Sequence, residues 1–390
     1  MIDISEKNFE ATIEQSLLNN GYQKRDSKDF DRSRCLIPQD VLHFIQTTQT
    51  QEWDKLQSHY GEDAETKIFQ RLSNQIKNRT SLEVFHKGIK VNACKFQLAY
   101  FQPADNLNSE TQKLYQSNIF TVIRQLHYSK RTPNKSLDLT LFLNGLPIFT
   151  AELKNPLSGQ TVENAITQYK NDRNPKEPLF KFGVCLSHFA VDPEWVYMTV
   201  ELKGKTTNFL PFNQGRDGGA GNPPKNPDES GFPSEYLWKT IWQKDSILDL
   251  IQNFMTLVEE KDDKKLIFPR YHQLDTVRRL LKDAKLHGTG KRYLIQHSAG
   301  SGKSNTIAWL AHGFSSLNDA NNNPVFDSAI VISDRTVIDR QLQNAIGQFQ
   351  QTTGVVENID RTSASAFMTG PINSRFCWCH WLYFSVISSR

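Results

Sequence analysis

The sequence predicts an α/β protein with two α/β halves joined by an extended connection. Upstream of the connection, segments rich in β-branched, aromatic and alternating apolar residues predict the strands of a mixed sheet. The Gly/Pro-rich stretch of the connection spans residues 213–232, where eight of twenty residues are Gly or Pro. Downstream, a short apolar run passes through a glycine-rich turn into a helical pattern at residues 292–313. The upstream strand segments are residues 82–101, 119–128, 137–154 and 193–202.

Composition places the chain among globular proteins. With 390 residues, 38% of them apolar and 23% charged, the chain is long enough to bury two cores, which excludes a disordered or fibrous protein. The net charge of +4 is too small to argue for nucleic-acid binding by itself. Five scattered cysteines without a secretory leader predict a cytoplasmic protein. The most apolar run, residues 376–387, is shorter than the about 20 residues of a membrane span, so no membrane association is expected.

The first element in chain order is an amphipathic helix. Phe9, Ile13 and Leu17 recur at helical spacing, and Gly21 follows as the predicted C-cap residue. The patterns together divide the chain into an N-terminal domain over residues 1–207, a Gly/Pro-rich connection over 208–245, and a second domain over 246–390. The second domain is expected to be incomplete, because its composition becomes atypical from about residue 366.

A hairpin about Asn144-Gly145 carries the first candidate site. Asp138 lies early in its first strand, and Glu152 and Lys154 lie late in the second, on one face because strand side chains alternate. A tight two-residue turn alone would place Asp138 on the face away from Glu152. A shift of one residue, through a three-residue loop or a glycine bulge, sets the two carboxylates opposite each other, and we predict this second register.

Two adjacent carboxylates and a lysine suit phosphodiester hydrolysis. The carboxylates of Asp138 and Glu152 would bind Mg²⁺ through hard oxygen ligands, and Lys154 would orient water and stabilise charge on the phosphorane. These three residues are therefore the predicted catalytic group of a nuclease. A structural salt bridge is the alternative interpretation, and the Glu-x-Lys spacing recurs in this chain. The rival pairs are Glu65/Lys67 and Glu259/Lys261, in helical-looking sequence, and Glu201/Lys203, at the end of a predicted strand.

The downstream half carries a phosphate-binding loop. Residues 292–296 predict a short strand, and Gly300, Ser301 and Gly302 form a turn whose backbone amides can converge on phosphate oxygens. Lys303 would neutralise the β- and γ-phosphates, and the Ser304 hydroxyl would bind Mg²⁺. A helix follows directly, with its dipole directed at the anion. His297 replaces the first glycine of the usual motif, and the alternative is an ordinary Gly/Ser turn before a helix.

The segments around this loop resemble the first RecA-like domain of a superfamily 2 helicase-type DNA translocase. The resemblance rests on "FPRYHQLDTVRRLL", on the phosphate loop, and on a buried strand at 329–332 that leads into "SDRTVIDRQ". It implies that Gln273 contacts the adenine of ATP and that Arg335 contacts the DNA backbone. An ordinary surface glutamine and a solvated strand-end arginine are the alternatives.

The order of these parts, over residues 5–365, resembles the restriction (R) subunit of type I restriction-modification enzymes. That resemblance implies an N-terminal PD-(D/E)xK endonuclease-like domain followed by a partial RecA-like, P-loop motor domain. The implied activity is ATP- and Mg²⁺-dependent cleavage of foreign double-stranded DNA. Asp138, Glu152 and Lys154 match the nuclease motif by position, although no proline precedes Asp138. The implied partners are DNA and the methyltransferase (M) and specificity (S) subunits.

Two features near the nuclease motif depart from the family pattern or stay open. A glutamine and a tyrosine usually follow the lysine four residues apart, whereas Gln168 and Tyr169 are adjacent here. Tyr169 belongs to the predicted buried stripe of its helix, which leaves Gln168 as the candidate DNA contact or as a solvated residue. Acids on a helix approach the metal in this nuclease fold, but a solvated face is the favoured interpretation for Glu14.

The expected truncation leaves other functions open. No acidic strand-end pair follows Ser304, and a second motor domain is missing, so we expect a frameshifted or shortened R subunit that binds ATP rather than one that sustains hydrolysis. One alternative is a stand-alone nuclease-ATPase. The other is a non-catalytic remnant that binds nucleotide or DNA.

Overall fold

The chain divides into two compact units. The computed structural model describes residues 6–103, 108–217, 219–226, 230–260, 263–332, 342–347, 376–379 and 384–387. The first unit comprises Met1–Gln102 and Ser109–Phe268, and the second comprises Pro103–Asn108 and Pro269–Arg390. Among the described residues, no helix combines the length and the apolar character needed to cross a bilayer.

The helices and strands of the first unit are numbered in chain order. They are α1 (Glu6–Asn19), β1 (Gln23–Lys24), α2 (Pro38–Thr48), α3 (Thr50–Tyr60), α4 (Ala64–Arg79), α5 (Ser81–Lys87), β2 (Ile89–Val91), β3 (Cys94–Phe96), α6 (Ser109–Gln116), β4 (Phe120–His127), β5 (Ser136–Leu143), β6 (Leu146–Leu153), α7 (Val162–Asn171), β7 (Ser187–Val191), β8 (Val196–Thr199), β9 (Leu210–Pro211), α8 (Lys244–Asp249), β10 (Thr256–Glu260) and β11 (Asp263–Ile267). Short 3₁₀ turns lie at Ser27–Asp29, Gly61–Asp63, Pro156–Ser158, Pro178–Phe180 and Pro233–Glu235, and π-helical turns at Leu237–Ile241 and Leu250–Phe254.

A seven-stranded mixed sheet forms the centre of the first unit. Its strand order is β1-β4-β5-β6-β7-β8-β9. Strand β1 runs parallel to β4 and β6 runs parallel to β7, whereas the other neighbouring pairs are antiparallel. Every residue of β6 is buried, so both faces of the sheet are covered at its middle. The structure thereby confirms the predicted mixed sheet.

Most of the predicted local elements are present. Phe9, Ile13 and Leu17 of α1 are at most 1% exposed, which confirms the amphipathic helix. The segments 119–128, 137–154 and 193–202 contain β4, the β5–β6 hairpin and β8, respectively.

The segment 82–101 was wrongly predicted as a strand over its first third. Residues Ser81–Lys87 form α5, and only the short hairpin of β2 and β3 follows. The Thr80 side chain accepts a hydrogen bond from the Glu83 backbone amide, as an N-cap does. The apolar run is therefore buried on a capped helix, where tertiary packing outweighs the β propensity of its residues.

The boundary between the units differs from the one that composition predicts. Contacts divide the chain at Phe268, whereas the sequence suggested a second domain from residue 246. Residues before 268 pack into the first unit: the Tyr22 hydroxyl donates to the Trp242 carbonyl at 2.7 Å, and the Trp242 ring meets the Phe189 ring of β7 at 5.4 Å. The Gly/Pro-rich composition marks an irregular segment of this unit, because composition reports backbone irregularity and not where side chains pack.

The second unit contains two long helices and three strands among its described residues, and residues 342–347 are also helical. The long helices and the strands are α9 (Tyr271–His287), α10 (Lys303–Ser315), β12 (Ser328–Ile332), β13 (Phe376–Cys379) and β14 (Phe384–Ile387). Ala329 and Val331 are at most 3% exposed, which confirms the predicted buried strand at β12. A Cβ added at Gly313 would lie 2.7 Å from the Leu281 side chain, so glycine permits the close approach of α10 to α9.

The predicted strand at 292–296 is not formed. Leu294 is 94% exposed and the segment has no regular secondary structure. A strand needs a neighbour to pair with its backbone N–H and C=O groups. In the sheet of the second unit, β13 and β14 occupy both edges of β12, so within the described residues this apolar segment has no edge of β12 to join.

Gly145, in the turn between β5 and β6, gives a test of the fold. Its φ is +80°, and an added Cβ would lie 2.6 Å from the Ile37 carbonyl oxygen and 2.7 Å from the Val41 side chain. Because both backbone strain and overpacking result, Gly145→Ala is expected to lower the free energy of unfolding by about 3 kcal/mol or more. Urea denaturation followed by circular dichroism measures this change.

The matched control is Gly159→Ala. Gly159 has a similar φ of +76° but no atom within 4 Å of an added Cβ, so about 1 kcal/mol of backbone strain is expected. Equal losses in the two variants would contradict the assigned packing of the turn.

Candidate active site

Asp138 and Glu152 lie opposite each other on β5 and β6. Leu143 pairs with Leu146 across the turn, but Leu139 pairs with Ala151, so the register shifts by one residue between the two ends of the hairpin. Continuing that register by one position sets Asp138 against Glu152 and confirms the predicted arrangement.

The structural feature that produces this register differs from the one that was predicted. The Asn144-Gly145 turn is a tight two-residue turn, with φ values of +49° and +80°. The extra residue is Ile148, which is left over between the pair formed by Pro147 and the pair formed by Phe149. A bulge inside β6, and neither a longer loop nor a glycine bulge, therefore brings the carboxylates to the same face.

The carboxylate of Asp138 is held by two donors. Its Oδ2 accepts a hydrogen bond from the Leu153 backbone amide at 2.7 Å, and its Oδ1 accepts one from the Gln125 side chain at 3.2 Å. Gln125 adopts φ +51°, a left-handed conformation that costs energy for a residue with a side chain. In this conformation the Gln125 side chain also donates a hydrogen bond to Glu10 at 2.9 Å. Asp138 is thus fixed in place by its neighbours on β4 and β6.

Glu152 is fully buried and only partly compensated. Its Oε1 accepts a hydrogen bond from Arg173 Nε at 2.5 Å, whereas its Oε2 has no hydrogen-bond partner among the described residues. Burial and, after it, the charge of Asp138 raise the pKa of Glu152, and Arg173 opposes both effects, so that the resulting pKa is about 8. The side chain is therefore a poor place for a lone negative charge.

Lys154 follows the last residue of β6. Its backbone amide donates to the Val191 carbonyl at 2.9 Å, and its side chain is 7% exposed. The ammonium lies close enough to Glu152 to be one of the charges that lower the pKa of that carboxyl group. The structure therefore brings Asp138, Glu152 and Lys154 together at one end of the hairpin.

Three charged residues beside this group were missed by the sequence analysis. Glu10 of α1 is 4% exposed, and burial together with the charge of Asp138 raises its pKa to about 7. Arg124 of β4 donates to Glu10 at 3.1 Å, and Arg173 follows α7. The available signal for Glu10 was its position next to Phe9 of the buried stripe of α1. No local pattern marks the two arginines, because they meet the acids only after the chain has folded.

The interpretation of Glu14 as a solvated residue was wrong. Its side chain is 6% exposed in this structure and is paired with Lys24 at 3.1 Å and with Arg124 at 3.3 Å. Glu14 lies one turn after Glu10 on α1, so the two acids share Arg124.

The donor set fits a hard divalent cation. Among the described residues no group of three His, Cys, Asp or Glu side chains is placed to hold a metal. Two carboxylates with water completing the coordination are nevertheless a usual magnesium site. The Oε2 of Glu152 is buried and accepts no hydrogen bond among the described residues, so it is available to a cation.

Gln168 and Tyr169, on the helix after the hairpin, differ in their burial. Tyr169 is buried, and its hydroxyl shares a hydrogen bond of 2.8 Å with Thr150, which confirms it as part of the buried stripe. Gln168 is partly exposed on α7. Its role as a DNA contact stays a prediction.

The rival Glu-x-Lys pairs lie in other settings. Glu201 and Lys203 form an ion pair of 2.8 Å with both side chains at least one third exposed. Glu259 lies in strand β10, not in a helix as its sequence suggested, and pairs with Lys264. Glu65 lies in the first turn of α4. None of these three acids shares the burial of Glu152.

The predicted phosphate loop of the second unit contains two glycines in left-handed conformations. Gly300 and Gly302 have φ values of +73° and +83°, and α10 begins at Lys303. The Lys303 ammonium donates to the carbonyls of His297 and Ser298 at 3.1 and 3.0 Å. The lysine thus lies over the loop, where it would meet a bound phosphate.

The remaining predicted nucleotide contacts adjoin this loop. Gln273 accepts a hydrogen bond from the Arg270 amide at 2.9 Å and donates to the Gly302 carbonyl at 2.8 Å, which ties the start of α9 to the loop. Ser301 is buried with no partner for its hydroxyl among the described residues, and Ser304 is half-buried in the first turn of α10. Adenine recognition by Gln273 stays a prediction, and Arg335 lies outside the described residues.

Comparison with known proteins matches both units. The family described as "Type I restriction enzyme R protein N terminus" matches residues 3–206, and the family described as "Type III restriction enzyme, res subunit" matches residues 266–370. The chain is 27% identical over 331 residues to the "Putative type I restriction enzyme MjaVIIIP endonuclease subunit" of Methanocaldococcus jannaschii, covering 77% of this chain and 29% of that protein. It is 22% identical over 306 residues to the "Type I restriction enzyme HindI endonuclease subunit" of Haemophilus influenzae, covering 73% and 27%, respectively. The chain therefore spans less than a third of the length of these relatives.

The raised pKa of Glu152 predicts a pH dependence of stability. In metal-free buffer the folded state holds the Glu152 proton up to a pKa of about 8, whereas the unfolded value is 4.5. The folded state therefore binds more protons between these values, and the free energy of unfolding is expected to fall as the pH rises from 5 to 8. Glu152→Gln should flatten this decline, which urea denaturation in EDTA at several pH values measures.

Glu201→Gln serves as the control for this measurement. Glu201 is a partly exposed acid, with 33% of its side chain accessible, and its replacement should leave the wild-type pH profile unchanged. A Glu152→Gln profile as steep as that of the wild type would show that Glu152 does not titrate in this range.

Proposed function

The chain belongs to the family of type I restriction enzyme R proteins, and on this premise we propose that it is the endonuclease subunit of a type I restriction-modification complex. In this proposal it cleaves double-stranded DNA with Mg²⁺ and uses ATP. The observation that carries the nuclease assignment is the pairing of Asp138 with Glu152 across a bulged hairpin, with Lys154 next to them. We assign the first unit to the PD-(D/E)xK nucleases on this arrangement.

The carboxylates would act as metal ligands. Asp138 and Glu152 would hold Mg²⁺, which supplies Lewis-acid activation of water and of the scissile phosphate. The unpartnered Glu152 Oε2 supports this role, since a buried carboxylate oxygen without a donor is otherwise costly. Glu152 would have to lose its proton to bind the cation, so metal affinity is expected to rise with pH through the pKa of about 8.

Other side chains would orient the reacting groups. Lys154 would place its ammonium near the phosphate oxygens, where negative charge grows as water attacks. Arg173 holds Glu152 through Oε1 and leaves Oε2 without a hydrogen bond, and Gln125 holds Asp138 through Oδ1. Arg173 and Gln125 are thus positioning residues, because they act through the carboxylates.

The second unit would bind ATP as part of a RecA-like, helicase-type motor. Lys303 over the glycine turn supports phosphate binding, and Ser304 at the start of α10 would complete the Mg²⁺ coordination of the nucleotide. Gln273 would contact adenine, and Gln168 and Arg335 would contact DNA. The M and S subunits of the complex would supply methylation and sequence recognition.

Mg²⁺-dependent nicking of supercoiled plasmid tests the nuclease assignment. Asp138→Ala removes a metal ligand and is expected to lower the cleavage rate more than about 100-fold. Glu201→Ala is the matched control, because it removes the acid of the rival Glu-x-Lys pair from a partly exposed position. The assay is run with and without partner M and S subunits. Cleavage by Asp138→Ala at the wild-type rate would overturn the assignment.

Nucleotide binding is tested separately by titration with a fluorescent ATP analogue. Lys303→Ala removes the cation over the glycine turn, and a ten- to hundredfold weaker affinity is expected, corresponding to about 1.5–3 kcal/mol for a charged hydrogen bond. Lys282→Ala, at an exposed position of α9, should bind the analogue as the wild type does. Unchanged affinity in Lys303→Ala would exclude the loop as the phosphate site.

A further inference from the structure

The loop between β4 and β5, residues 128–135, forms a compact basic surface. Its sequence, "YSKRTPNK", contains Lys130, Arg131 and Lys135 and no acidic residue. Lys130 and Arg131 are exposed, and neither forms an ion pair within the described part of the chain. Ion pairs at the surface contribute little to stability, so folding gives no reason for two unpaired cations to lie side by side. Both side chains are available to an external anion.

Buried hydrogen bonds hold this loop in one conformation. Ser129 is fully buried, and its hydroxyl accepts from the backbone amides of Arg131 and Thr132 at 3.1 and 3.0 Å while donating to Glu177 at 2.8 Å. The Lys135 amide donates to the Thr132 carbonyl at 3.0 Å. The basic side chains are therefore presented from a backbone that is already ordered, which reduces the entropy lost on binding.

Nearby acids do not neutralise the loop. The Glu177 carboxylate is 8% exposed and faces inward to Ser129. Asp172 approaches Lys135 through its backbone carbonyl, which accepts from the lysine ammonium at 2.8 Å. A further cation adjoins the loop, since Arg32 donates to the Ser129 carbonyl at 3.3 Å.

The loop lies at the same end of the sheet as the candidate active site. It leads directly into β5, whose first residue is Ser136 and whose third is Asp138. At about 3.3 Å per residue, Lys135 is roughly 10 Å along the strand from Asp138. Arg173 links the two, because its guanidinium binds Glu152 and also donates to the Ser136 carbonyl at 2.7 Å.

We propose that the 128–135 loop binds the phosphate backbone of duplex DNA beside the bond that is cleaved. This inference rests on the proposed nuclease function. A separation of about 10 Å corresponds to about three phosphates along one strand, which carries one charge per about 3.4 Å of helix axis. Lys135 would therefore lie about three phosphates from the one bound at Asp138 and Glu152, and Lys130 and Arg131 of the same loop would contact neighbouring phosphates of the duplex. Such contacts fix the register of the duplex without reading its sequence.

The test measures binding of a fluorescent 30-base-pair duplex to the full chain in EDTA, over a series of salt concentrations. Lys130→Ala/Arg131→Ala is expected to weaken binding and to lower the slope of log affinity against log salt by about 2, since each phosphate contact contributes about 0.9. The control is Lys90→Ala/Lys95→Ala, which also removes two exposed positive charges. These two lysines pair with each other on the β2–β3 hairpin. The hairpin leads to Leu98, whose carbonyl accepts a hydrogen bond from Asn144 in the turn between β5 and β6, at the opposite end of the sheet from the loop.

The outcomes separate the loop from the nuclease assignment. The proposal is supported if the slope of log affinity against log salt is smaller in the loop variant than in the wild type and is unchanged in the control. Failure of the wild type to nick plasmid would count against the nuclease assignment alone. Equal slopes in both variants, or no DNA binding by the wild type, would overturn the proposal. Unchanged DNA binding with lost retention of the M and S subunits would assign the loop to a protein partner and would also overturn it. All four side chains are exposed, so both variants should share the wild-type unfolding midpoint.

Discussion

The burial of two facing carboxylates is the constraint on which the rest of the first unit depends. Glu152 is fully buried and Asp138 lies opposite it, so burial and the charge of Asp138 both raise the pKa of Glu152. One arginine, Arg173, satisfies one oxygen of Glu152 and leaves the other without a donor. A pair of this kind is poorly stable by itself and becomes favourable when a cation shared by both side chains is present. In the proposed function, this unfavourable pairing would serve as a preformed set of ligands for the cation.

Arg173 also fixes the positions of several elements around the carboxylates relative to one another. Its guanidinium spans from Glu152 to the Ser136 carbonyl, and it lies over the ring of Tyr128 at 5.7 Å. The end of α7, the start of β5 and the loop before it are thereby held against the carboxylates. Lys135 makes a second connection between the same elements through Asp172. A scissile phosphate would thus meet a rigid set of groups, as preorganised catalysis requires.

Sequence patterns were most reliable where the deciding contacts are local. The helical stripe of α1, the Asn144-Gly145 turn and the helix after Gly302 follow from residues within one or two turns of each other. The register of the hairpin was predicted for chemical reasons, but its cause was not. Pro147, which lacks a backbone donor and is tolerated in a strand next to a bulge, was the available signal. The segment 292–296 shows the limit of such patterns, because an apolar run becomes a strand only where another strand can pair with it.

The sequence by itself determined the chemical groups of the site and their spacing: two acids and a lysine on a hairpin, and a glycine turn followed by a lysine and a serine. These features follow from the side-chain periodicity of strands and helices, which is two and 3.6 residues, so they can be recognised from the sequence before the fold is known. Only the tertiary structure decided which distant charges surround the acids, among them Glu10, Arg124 and Arg173. It also decided that Glu14 is buried. The physical reason is that desolvation and Coulomb interactions depend on distances in space, which connect residues more than a hundred positions apart in the chain.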